Sequence, residues 1–150
     1  MKKKFDSSLN AFLIIFSLSL SLFVSGCSSI SDKAEKNYHL TYGNILEHFK
    51  KCGIEITSIN SLRADVPNAE SGFAFTIKGK QIGIYKFNPK FKKDRDKLER
   101  INKEGFLYLC AIKYPAIVNG SFVMVDYHIN PEEGKIVEAF KSFAKDPSWF

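Results

Sequence analysis

Residues 115–129, PAIVNGSFVMVDYHI, decide how this chain folds. Two runs rich in β-branched and aromatic residues flank Asn119-Gly120. That dipeptide between apolar runs is the strongest short hairpin signal, because asparagine and glycine accept the positive φ of a two-residue turn. A hairpin makes the two runs antiparallel. The second run reads as a strand through Ile129, so alternation places Asp126 and His128 on one face and Ser121 on the other.

Working outward, Phe106–Ile112 (FLYLCAI) is almost continuously apolar, as in strands covered on both faces, and is expected at the centre of the sheet. Downstream, Asn130-Pro131-Glu132-Glu133 opens a helix with a cap residue, a proline at the first position and acids in the first turn. Ile136, Val137, Phe140 and Phe143 form its apolar face. Residues 90–103 predict a strongly charged helix with a thin stripe of Phe91, Leu98 and Ile101, stopped by Gly105. FAFTI and QIGIYKF predict a second hairpin around Lys78-Gly79-Lys80, ended by Asn88-Pro89. Ile54–Ile59 alternates as a strand does, and residues 61–72 form a loop rich in turn formers. Thr41 caps a helix running to about Cys52, with Ile45, Leu46, Phe49 and Cys52 at helical spacing and Gly53 as its stop. The expected order is α-β-β-β-α-β-β-α. It describes an α+β domain over residues 39–150, with a single antiparallel sheet of about five strands and helices packed on one face.

The N-terminus follows a different logic. Lys2, Lys3 and Lys4 precede an apolar stretch from Ala11 to Val24, interrupted only by serines. This is the layout of a secretory signal peptide, and it is short for a membrane span, which needs about 20 apolar residues. It ends in Val24-Ser25-Gly26-Cys27. That tetrad resembles the lipobox of bacterial lipoproteins. The resemblance covers residues 1–27 and implies a diacylglycerol on the Cys27 thiol, cleavage before Cys27 by signal peptidase II, and acylation, palmitate included, of the new N-terminus. Residues 1–26 are then the signal peptide and residues 27–38 the lipidated cysteine and a tether. One acyl chain holds a protein only marginally, at about 0.8 kcal/mol per buried methylene, whereas two or three give stable anchoring. The expected location is the extracytoplasmic face of the cell membrane, or the outer membrane in a Gram-negative host. Within the mature chain, IGIYKFN, NGSFVMV and KIVEAF look like small uncharacterised lipoproteins of Gram-positive bacteria. That resemblance carries over no catalytic or binding residue.

Composition sets further bounds. Removing the first 26 of 150 residues leaves a chain of one-domain size that buries roughly two-thirds of its unfolded surface. Removing Lys2, Lys3, Lys4 and Asp6 lowers the formal net charge from +6 to +4. Nucleic acid is a poor partner for an exported protein despite the basic balance. Export permits a Cys52–Cys110 disulfide, which would close a loop of about 59 residues and contribute about 4 kcal/mol in the chain-entropy account. The alternative, which we favour, is two free thiols acting as small apolar side chains. No cysteine or histidine spacing indicates a metal site, and no motif indicates a cofactor.

Candidates for chemistry are few. Asp126 and His128 on one strand face offer an acid/base pair for hydrolysis of envelope material, against the plainer alternative of a solvated polar pair. His48 falls off the apolar stripe of its helix and is expected to be exposed. Between Lys86 and Lys103, eight basic residues face three acids. Lys90, Lys92, Lys93, Arg95 and Lys97 would suit contact with anionic headgroups or an anionic envelope polymer, or simply form a solvated helix face. Trp149 and Phe150 end the chain, folded onto the last helix or presented as an aromatic tip. The leading expectation is a lipid-anchored extracytoplasmic binding or interaction lipoprotein, not an enzyme. The alternatives are an envelope hydrolase using Asp126 and His128, or a non-catalytic accessory protein in envelope assembly.

Overall fold

The structure, a computed structural model, describes residues 29–145. The lipobox at Val24–Cys27 and the aromatic end at Trp149 and Phe150 lie outside the described residues. Helices α1 (Ile30–Lys36) and α2 (Tyr42–Lys51) precede strands β1 (Ser58–Ser61), β2 (Ser71–Ile77) and β3 (Lys80–Lys86). Helix α3 (Lys92–Glu104) leads to β4 (Phe106–Leu109), β5 (Ile112–Asn119) and β6 (Phe122–Val125). A 3₁₀ turn (Tyr127–Ile129) and helix α4 (Glu133–Phe143) complete the order.

The domain is α+β, built on one antiparallel sheet of six strands in the order β1-β2-β3-β6-β5-β4. Two three-stranded meanders meet at β3 and β6, where Ile84 pairs with Met124 and Tyr85 with Val123. Between β2 and β3, Ile77 pairs with Lys80 across Lys78 and Gly79. Both turn residues have positive φ, 49° and 74°, as the preferred two-residue hairpin turn requires. Between β5 and β6, Asn119 pairs with Phe122. The turn is therefore Gly120-Ser121, one residue later than the Asn119-Gly120 signal suggested.

Helices cover both faces of the sheet, not one. Ile82, Ile84, Phe75, Ile77, Phe122 and Met124 pack with Ile45 and Phe49 of α2 and with Ile136, Phe140 and Phe143 of α4. The other face, with Tyr85, Phe87, Val123, Val125 and Ala116, packs against Ala34 of α1 and Leu98 and Ile101 of α3. All four residues of β6 are buried, which is why FVMV shows no alternation. An aromatic chain ties the first face together: Tyr42 lies 4.6 Å from Phe73 and 5.6 Å from Phe122, which lies 5.6 Å from Phe143. Burial of this kind contributes about 1.5–3 kcal/mol per large apolar side chain.

Three expected elements move. FLYLCAI is an edge hairpin, not a central strand: Leu109 pairs with Ile112 across Cys110 and Ala111, both at positive φ. Neither residue is a usual turn former, so the sequence carries no sign of the reversal. The strand expected over Ile54–Ile59 starts only at Ser58 and lies at the opposite edge. The segment read as a tether, residues 27–38, contains α1. Ser29 caps it, accepting from the Asp32 amide while the Asp32 carboxylate accepts from the Ser29 amide. Ala34 is fully buried.

Candidate anion-binding groove

Helix α1 lies close to α3 and β5. Between it, the β5–β6 turn and the end of α4 runs a groove of about 1020 Å³. Its apolar lining comes from Ile30, Val118 and Ala144, and its amides from Asn37, Asn102 and Asn119. Its charged lining is unequal: Lys33, Lys36, Lys141 and Lys145 against Asp32. The Asp32 carboxylate is engaged in the α1 cap. Among the described residues Lys33, Lys141 and Lys145 form no ion pair. Lys33, Lys36 and Lys141 also stand in last helical turns, where a cation complements the helix dipole.

Local bonding fixes the groove walls. The Asn119 side-chain amide donates to the Phe140 carbonyl, joining the turn to α4. Asn37 follows α1 and is 7% exposed; its Oδ1 is buried without a hydrogen-bond partner. A buried carbonyl oxygen left in this state costs about 1–3 kcal/mol. The arrangement can offer an anion the charges of Lys33, Lys141 and Lys145 and pack apolar atoms against Ile30, Val118 and Ala144. A second, smaller cavity of about 110 Å³ lies among Pro67, Lys97, Arg100 and Phe106.

The basic run on α3 does not act as one patch. Arg95 donates to the Pro89 carbonyl at 2.6 Å and stands 3.7 Å from Glu35 on α1. Lys97 donates to the Pro67 carbonyl at 2.6 Å, and burial lowers the pKa of its ammonium. These two hold loops and α1 in place. Lys92 pairs with Asp96 at 3.0 Å, while Lys90 and Lys93 stand on the surface. Phe91, expected in the apolar stripe, is the exposed cap residue of α3.

Asp126 and His128 do not share a strand face. Strand β6 ends at Val125, Asp126 has φ 60° and His128 belongs to the 3₁₀ turn. Burial raises the pKa of the Asp126 carboxyl, and the charge of His128 pulls it the other way. Neither residue lines either of the two cavities.

His48 is buried, contrary to expectation. Its Nε2 lies 3.0 Å from Ser142 Oγ and 3.6 Å from Cys52 Sγ. The Ser142 hydroxyl also lies 3.1 Å from the Ala139 carbonyl. The contact joins α2 to α4. Periodicity hid it because the apolar stripe of α2 predicts which side meets the sheet, not which side meets α4. Cys52 and Cys110 are both free thiols: Cys52 packs against the α2–α4 core, and Cys110 is exposed in the β4–β5 turn.

Among the described residues no group of three His, Cys, Asp or Glu side chains is placed to hold a metal ion. No described helix is long and apolar enough to cross a membrane. In comparison with protein families, curated proteins and solved structures, no match to the chain is found.

Proposed function

We propose that the chain is a lipid-anchored extracytoplasmic binding protein, held in the cell membrane through acylated Cys27, that takes an anionic ligand in the groove beside α1. The carrying observation is the lysine-lined groove: Lys33, Lys141 and Lys145 line it beside Ile30, Val118 and Ala144, and the nearby acid is already engaged. This keeps the expected ligand charge but moves the contact off α3, where Arg95 and Lys97 serve the fold. The hydrolase alternative loses its geometric premise, since Asp126 and His128 do not stand together on a strand.

Two measurements test this function. Intact mass of the membrane-extracted protein is expected to fit cleavage before Cys27 plus acyl chains, with that species lost in Cys27→Ala. Binding of labelled polyphosphate by the detergent-solubilised protein is expected to weaken in Lys33→Glu/Lys141→Glu and to persist in Lys92→Glu/Lys93→Glu. An unacylated mass, or equal binding by the groove variant, would overturn it.

A further inference from the structure

We infer that the groove is a membrane-docking face that seats the headgroup of an anionic phospholipid, in the bilayer that holds the anchor. The inference rests on the proposed function above and names its ligand. The first observation is distance along the chain. Ile30 lines the groove, and Ser29 already caps α1. Only Ser28 separates Cys27 from that cap. Three residues of fully extended chain span at most about 11 Å, so the groove cannot leave the membrane surface far behind. That reach is close to the Debye length of about 8–10 Å within which lysines sense an anionic leaflet.

The second observation is chemical. A phosphodiester suits the lysine rim, and the glycerol backbone of a lipid suits the floor of Ile30, Val118 and Ala144. A soluble polyanion would answer the lysines alone. The bilayer answers the lysines, the apolar floor and the short connection to Cys27 together.

The test uses the full acylated protein reconstituted in vesicles, with intact mass taken on the same sample. Amide hydrogen exchange is followed in α1, at Gly120 and in the last turn of α4. Phosphatidylglycerol vesicles are expected to slow exchange there by at least about tenfold relative to phosphatidylcholine vesicles, each lysine adding to the attraction. Lys33→Glu/Lys141→Glu is expected to abolish the difference while amides of β3 and β6 keep their protection, which shows that the variant is folded. Equal exchange on both vesicles overturns docking while leaving the anchored binding protein standing. Full protection by glycerol 3-phosphate on phosphatidylcholine vesicles also overturns docking, because the site would then serve a free phosphate. An unacylated mass overturns both readings.

Discussion

A Cβ added to Gly120 would lie 3.2 Å from the Cβ of Asn37, so a side chain there would press the β5–β6 turn and the segment after α1 apart by a few tenths of an ångström. Gly120 also has φ +59°, a conformation that costs an L-residue about 1–2 kcal/mol. Gly120→Ala is expected to lower the urea-unfolding free energy by about that amount and to weaken polyphosphate binding by displacing one wall of the groove. Unchanged stability would mean that the turn relaxes freely.

His48 joins α2 to α4 through Ser142 and packs its ring 6.4 Å from that of Phe143. His48→Ala is expected to cost about 2 kcal/mol, from a small void and from a hydroxyl that loses a partner. Ser142→Ala is expected to cost less, about 1 kcal/mol, because it removes no ring. Denaturant titrations of both variants measure the difference. An inert His48→Ala would place the ring outside the packing it occupies here.

Asp126 gives a pH-dependent expectation. Burial raises its folded pKa above the unfolded one, so the protonated carboxyl favours the folded state. That contribution is complete below the unfolded pKa and is lost as pH rises through the folded one. Asp126→Asn tolerates the left-handed backbone and carries no charge. The variant's melting temperature is expected to exceed that of the wild type at about pH 7, with the gap narrowing towards about pH 3. A gap that widens on acidification would reverse the assignment.

Lys97 and Lys92 sit on the same helix with different duties. Lys97→Ala is expected to cost about 1–2 kcal/mol, because the Pro67 carbonyl loses a charged donor. Lys92→Ala removes only an exposed pair with Asp96, and its effect is expected to stay within about 0.5 kcal/mol. Thermal melts of the two variants at equal salt separate them.

The local signals in the sequence were strong where one residue type answers one backbone demand. Thr41 caps α2 with Asn44, and Lys78-Gly79 turns a hairpin. The apolar face of α4 falls on Ile136, Phe140 and Phe143. What the sequence concealed lies in contacts between elements. Cys110-Ala111 reverses the chain without a turn former, so one apolar run became two strands. Unbroken burial in β6 is visible as FVMV, yet the β-rich run continues to Ile129, and nothing local signals helices on the second face. The groove was legible only in fragments. Lys33 and Lys36 repeat at helical spacing, as do Lys141 and Lys145, but nothing local says that the two pairs face one space. The run on α3 was conspicuous in sequence because its charges are adjacent, and adjacency in a helix scatters side chains around the axis.

The two meanders bear on how the chain folds. Every strand pairing except β3–β6 joins neighbours along the chain, and Ile84 must find Met124 across a long intervening segment. Closing that distance costs entropy before the central contacts return anything. Each half can form its hairpins early. Their zipping along β3 and β6, which completes the layers over both faces of the sheet, is the expected rate-setting event. Substitutions at Ile84 and Met124 are therefore expected to slow folding, whereas substitutions at the β4–β5 edge are expected chiefly to hasten unfolding.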